Sequence, residues 1–138
     1  MKFALMKSVN NMMPRIMILD DEKLIRWSLN HIFQQEGYEV DSAATVEEAA
    51  RLTRSQTYGL ILADLEVCGD QAKVFFSDFV HIQKGAKIII ITAVPKDQAE
   101  RQLGELKAER IMEKPFDSED ILAAVEAALV LRMKEREA

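Results

Sequence analysis

Short runs of Ile, Leu and Val recur along the chain, and longer stretches with apolar residues at helical spacing separate them. The runs are Arg15–Leu19, a weaker Tyr38–Asp41, Leu60–Ala63, Lys87–Ile91 and Arg110–Glu113, each of strand length. Between them Ile25, Leu29, Ile32 and Phe33 share one helical face. So do Val46, Ala49, Ala50 and Thr53; Phe75, Phe79 and Ile82; Leu103 and Leu106; and Ile121, Val125, Ala128 and Leu129. A strand apolar on both faces, such as Ile88–Ile91, requires helices on each side of its sheet. The pattern predicts one α/β domain of five β–α units.

Boundary residues agree with this division. Thr45 followed by Glu48 forms a capping box. Gly37 and Gly59 stand where a helix should stop and a strand begin, Pro115 closes the last strand, and Asp117 or Ser118 can cap the last helix. The last helix is expected to end near Glu137 with no attached output domain. A chain cut from a longer transcription factor would carry the same pattern.

The 138-residue length fits one domain, and 49% hydrophobic with 30% charged residues is the balance of a soluble protein with a core. A formal net charge of −5 argues against direct nucleic-acid binding. The single cysteine, Cys68, excludes a disulfide framework and a cysteine metal site, and points to a reducing cytoplasm. No apolar run approaches the ~18 residues of a membrane span. Residues 1–13, rich in Met and Asn, are too weakly apolar for a signal peptide and are expected to be an N-terminal extension ahead of a domain at 14–138; Met12 or Met13 is an alternative start.

Parallel α/β sheets bind ligands beyond the carboxyl ends of their strands, so the residues at those ends carry the functional signal. The first strand ends in Asp20-Asp21-Glu22, the third in Asp64, the fourth in Thr92 and the fifth in Lys114-Pro115. Packed carboxylates repel one another, and a hard divalent cation with open coordination positions relieves that repulsion. An aspartate can then act as nucleophile and form an acyl phosphate, with Lys114 neutralising the phosphoryl group and the Thr92 hydroxyl bonding to one of its oxygens. A carboxylate that is already ionised needs no general base.

The run Ile16-Met17-Ile18-Leu19-Asp20-Asp21-Glu22, with Asp64, Ile91-Thr92-Ala93 and Lys114-Pro115-Phe116, resembles the response regulator receiver family of two-component systems over about Pro14 to Met133. The resemblance implies a flavodoxin-like, doubly wound (βα)5 fold with a five-stranded parallel sheet in the order 2-1-3-4-5. It implies that Asp64 is the phosphoacceptor and that Thr92 and Lys114 read the phosphoryl group. Asp21, Asp64 and the backbone carbonyl of Glu66 would hold Mg²⁺ or Mn²⁺ directly, with Asp20 acting through water. The implied phosphodonor is a histidine kinase or histidine phosphotransfer protein. The implied output is a change in the face formed by the fourth helix, fifth strand and fifth helix, read by an unknown output protein or by a homodimer. Gln98, Arg101, Gln102, Glu105 and Lys107 are candidates on that face. The stretches Lys23–Leu29 and Glu36–Val40 are similar to receivers that sit ahead of AAA+ transcriptional activators.

The sequence departs from the family pattern in three places. Ile111, three residues before Lys114, stands where the family often has an aromatic switch residue paired with the hydroxyl position, here Thr92. The loop after Asp64 reads Leu65-Glu66-Val67-Cys68-Gly69-Asp70, and Glu66 is expected to alter the access of hydrolytic water. Pro95 is expected to stiffen the loop after Thr92.

Blander readings exist for each piece. Asp20-Asp21-Glu22 also suits a helix start, and Thr92 and Lys114 also suit a strand end and a turn. His31 and His81 read as surface histidines, Cys68 as an inert loop thiol, Trp27 as surface or interface, and Phe75, Phe76 and Phe79 as core plus one partly exposed ring. Two other functions compete. One is a phosphorylation-independent interaction module on the same fold, which failure to bind Mg²⁺ would favour. The other is an enzyme or nucleotide-binding protein. Against it, the loop after the first strand lacks phosphate-binding glycines, and a phosphatase using Asp64 would want Asp rather than Glu66 two residues on. The chain is therefore not expected to be an enzyme.

Overall fold

The computed structural model describes residues 13–137, so the proposed extension lies almost wholly outside the described residues. Five strands, β1 (Ile16–Leu19), β2 (Val40–Ala43), β3 (Leu60–Asp64), β4 (Lys87–Thr92) and β5 (Arg110–Glu113), alternate with five longer helices. These are α1 (Lys23–Gln35), α2 (Val46–Ser55), α3 (Ala72–Ile82), α4 (Lys96–Leu103) and α5 (Ser118–Glu137). A single helical turn, Leu65–Cys68, and a 3-10 turn, Gly69–Gln71, lead from β3 into α3. All strand pairs are parallel, in the order β2-β1-β3-β4-β5.

Strand residues alternate between two apolar layers. Met17, Leu19, Ile61, Ala63, Ile88 and Ile90 pack with Ala49, Phe75, Phe76, Phe79, Ala99 and Leu103 of α2, α3 and α4. Ile16, Ile18, Leu60, Leu62, Ile89 and Ile91 pack with Leu29, Phe33, Ile121, Val125 and Ala128 of α1 and α5. This two-sided burial is why the strands read as continuous apolar runs instead of alternating ones. It leaves polar side chains to gather at the two ends of the sheet, and in such folds ligands bind at the carboxyl ends of the strands.

Several local expectations shift. β2 begins two residues later than its apolar run, at Val40, because the register pairs Val40 with Ile16 and Ala43 with Leu19. Tyr38 is core but precedes the strand. Leu106 falls outside α4, which stops at Leu103 before Gly104 at a φ of 65°. Ile82 is exposed, and the buried residue at that end of α3 is Gln83. All three rings of Phe75, Phe76 and Phe79 are buried. Gly37 does end α1 in the left-handed region, at a φ of 92°. Gly59 ends no helix. A Cβ there would stand 2.5 Å from the Pro14 Cβ, so the position serves a close approach of two chain segments.

Half of the capping box at α2 forms: the Glu48 N–H donates to the N-cap Thr45 Oγ1 at 3.2 Å, whereas Glu48 Oε1 accepts the N–H of Ala44, one residue before the cap, at 2.7 Å. At the amino edge of the sheet, Gln83 ties the α2–β3 connection to the end of α3. Its Nε2 donates to the carbonyls of Thr53 and Gln56 at 2.8 and 2.6 Å, and its Oε1 accepts the Tyr58 N–H at 2.9 Å.

Candidate functional site

β1 and β3 are neighbours, so their terminal residues deliver Asp20 and Asp64 side by side at the carboxyl edge. Both are almost fully buried, at 1% and 3% exposure, whereas Asp21 faces solvent. Carboxylate oxygens of Asp20, Asp21 and Asp64 lie within 4.8 Å of one another. Lys114, just beyond β5, reaches back across the edge. Its Nζ donates to Asp64 Oδ2 at 2.8 Å and to Asp20 Oδ2 at 3.4 Å. Glu22, at 3.8 Å from the same ammonium, completes the ring of charge.

Each buried carboxylate also caps the backbone that follows it. Asp20 Oδ1 accepts the Glu22 N–H at 2.8 Å, and Asp64 Oδ1 accepts the Glu66 N–H at 2.9 Å as N-cap of the short helical turn. Arg26 of α1 donates to the Asp20 carbonyl at 2.9 Å. One oxygen of each aspartate is thus fixed by backbone, while the other faces Lys114.

Burial pushes the Asp20 carboxyl above its ordinary value, against the opposing pull of the Glu22 N–H and Lys114. For Lys114 burial works downward, but the hydrogen bonds and charges of Asp64 and Asp20 outweigh it and the net shift is upward. The ammonium is therefore held charged. Asp20, Glu22 and Asp64 share one lysine and Asp21 adds a fourth carboxylate, which leaves an excess of negative charge. Hard oxygen donors in that arrangement fit a divalent cation such as Mg²⁺.

Thr92 ends β4 beside this cluster and is fully buried. Its hydroxyl donates to Glu66 Oε2 at 2.7 Å and accepts the Val94 N–H at 3.1 Å. Glu66 Oε1 accepts the Ala93 N–H at 2.8 Å. The Glu66 carboxylate therefore lies on the end of β4 and not among the three aspartates. Ile111 makes none of these polar contacts; half-buried on β5, it packs on the layer that contains Ile90, Ala99 and Leu103.

The remaining candidates stay apart from the site. Trp27 stacks on His31 in the exposed part of α1, with ring centroids 5.7 Å apart. Cys68 is buried in the helical turn rather than in an open loop. Burial, then the charges of Asp64 and Glu66, push its thiol up to about 12, so it is inert as a nucleophile. Sequence reasoning missed the Arg26 contact and the destination of the Glu66 side chain. The spacing of Glu66 two residues after a strand-end aspartate was the one available signal.

The response regulator receiver domain model matches residues 16–126. The chain belongs to this family. It is 31% identical over 121 residues to sporulation initiation phosphotransferase F of Bacillus subtilis (strain 168), covering 88% of this chain and 98% of that protein. It is 28% identical over 117 residues to transcriptional regulatory protein PmrA of Pectobacterium parmentieri, covering 83% of this chain and 52% of the relative. Among solved structures, a CheY-like response regulator receiver domain protein from Methanospirillum hungatei JF-1 superposes with a TM-score of 0.81 at 26% identity, covering 89% of this chain and 98% of that one. The observed strand order and flanking helices are those of this receiver fold. Among the described residues, no helix is long and apolar enough to cross a membrane.

Proposed function

We propose that this receiver accepts a phosphoryl group on Asp64 from a phosphohistidine of a histidine kinase or a histidine phosphotransfer protein. The observation that carries the reading is Lys114, whose Nζ contacts Asp64 at 2.8 Å and Asp20 at 3.4 Å on the one edge where strand ends converge. A carboxylate oxygen of Asp64 attacks phosphorus, a P–O bond forms and the P–N bond to imidazole breaks. The imidazole leaves with the electron pair and takes a proton from solvent. Lys114 neutralises the transferred group, and the Thr92 hydroxyl donates to one of its oxygens. Similarity to a sporulation phosphotransferase supports a phosphorelay partner.

Asp20, Asp21, Asp64 and the Glu66 backbone carbonyl are the residues that would hold Mg²⁺ or Mn²⁺, with Asp20 acting through water. The cation, when bound, supplies positive charge against the phosphoryl oxygens and the clustered carboxylates. The consequence is a two-state switch through Thr92 and Ile111 that alters the α4-β5-α5 face. Gln98, Arg101, Gln102, Glu105 and Lys107 are exposed there and are the candidate contacts for an output protein or a homodimer. In this reading residues 14–138 are the receiver and 1–13 an extension, and the chain works in the cytoplasm as a signalling protein, not as an enzyme. Borohydride reduction after treatment with a small phosphodonor, followed by peptide mapping, tests it. Mg²⁺-dependent reduction at Asp64 is expected; labelling at another residue, or labelling indifferent to Mg²⁺, would overturn it.

A further inference from the structure

The end of β4 offers two hydrogen-bond donors to an incoming anion, the Thr92 hydroxyl and the Ala93 N–H, and both are already engaged. Glu66 spans them with its two carboxylate oxygens, at 2.7 Å to Thr92 and 2.8 Å to Ala93. The remaining contact of the hydroxyl is as acceptor of the Val94 N–H, so Thr92 has no second proton to give. The Asp64 carboxylate caps the Glu66 N–H and so fixes the origin of the Glu66 side chain beside the phosphoacceptor. Glu66 itself is exposed, and water can replace its contacts when it swings out.

We propose that Glu66 is an internal anion that occupies the phosphoryl-reading donors in the resting state and must leave before Thr92 and Ala93 can take phosphoryl oxygens. This rests on the reading of Asp64 as acceptor and Thr92 as reader. A carboxylate and a phosphoryl group present similar pairs of negative oxygens, so they compete for the same two donors. The cost of expelling Glu66 is charged to phosphorylation, and its contact with Ala93 also ties the β4–α4 loop to the turn after Asp64. Reach matters as much as charge: an aspartate at this position keeps the charge but is one methylene shorter.

The test is the affinity for beryllofluoride, a phosphoryl analogue, measured calorimetrically in excess Mg²⁺ for wild type, E66A, E66D and E66Q, with Asp64→Ala as control. Binding about fivefold tighter is expected for E66A and for E66D, because solvent-exposed charged hydrogen bonds are worth that much. The Ala93 amide resonance should shift in the free E66A and E66D proteins as its acceptor is lost. Equal binding by wild type, E66A and E66D beside a silent Asp64→Ala would overturn the competition. Tighter binding by E66A and E66Q but not E66D would also overturn it, in favour of simple charge repulsion. Asp64→Ala binding as wild type does would overturn the phosphoacceptor reading, and the competition with it.

Discussion

Replacing Lys114 with Met removes the one ammonium that lies between two buried carboxylates, without shortening the side chain much. At an effective dielectric constant of about 20, its contacts at 2.8 Å to Asp64 and 3.4 Å to Asp20 represent about 6 and about 5 kcal/mol of gross attraction. Desolvation of the three charges cancels most of that, and breaking a buried pair costs a net ~3–5 kcal/mol. The lower end applies here, because Lys114 keeps 18% exposure and because Asp20, already pushed toward its protonated form by burial, can take up a proton. The expected loss is about 3 kcal/mol, which at a urea slope of about 1.5 kcal/mol per molar lowers the midpoint by about 2 M. Urea unfolding near neutral pH, in EDTA and in excess MgCl₂, reads it directly. The loss should shrink in Mg²⁺, because a cation bound only to the folded state stabilises it by mass action and the variant lacks the competing ammonium. An unchanged midpoint in EDTA would refute the view that Lys114 offsets the repulsion of the clustered carboxylates, and the same loss in both buffers would refute the proposal that they take up a cation.

Gln83→Leu should cost about 3 kcal/mol in the same assay, because it orphans the Tyr58 N–H and the carbonyls of Thr53 and Gln56; a loss under about 1 kcal/mol would show that water replaces the amide. Gly59→Ala should cost about 1–2 kcal/mol, since its Cβ would meet the Pro14 ring carbon at 2.5 Å; an unshifted midpoint would show that the segment yields freely. Both tyrosines, Tyr38 and Tyr58, have raised phenol values, by burial first and then by Glu126 and Glu36 for Tyr38 and by the Asp41 hydrogen bond for Tyr58. Their protonated forms therefore stabilise the fold fully below about pH 10, and that contribution is lost as pH rises through the folded values. The native protein should show no phenolate absorbance at the pH where the urea-unfolded chain titrates; coincident titrations would contradict this.

The parallel sheet was legible because its strands are buried on both faces, so Ile16–Leu19, Leu60–Asp64 and Lys87–Thr92 carry almost no polar residue to blur the run. Edge strand β2 was harder to place: three of its four residues are only half-buried, and Asp41 within it bonds to Arg15 and Tyr58. The convergence of Asp20, Asp64, Thr92 and Lys114 follows from topology, once strand ends are known to share one edge. What spacing along the chain does not encode is where a flexible side chain finally binds. Glu66 could have joined the aspartates, yet lies on Thr92 and Ala93, where it meets two donors, whereas the one ammonium of the aspartate cluster is already shared by Asp20, Asp64 and Glu22. Gln83 was equally silent, since a single polar residue at a helix end gives no sign that it closes a loop from another part of the chain.

Intact mass after incubation with acetyl phosphate and Mg²⁺, beside an Asp64→Ala control, tests the central claim most directly. A gain of one phosphoryl group is expected in the wild-type chain, absent from the control and abolished by EDTA. No gain in a folded, Mg²⁺-bound protein, or an equal gain in the Asp64→Ala control, would contradict it.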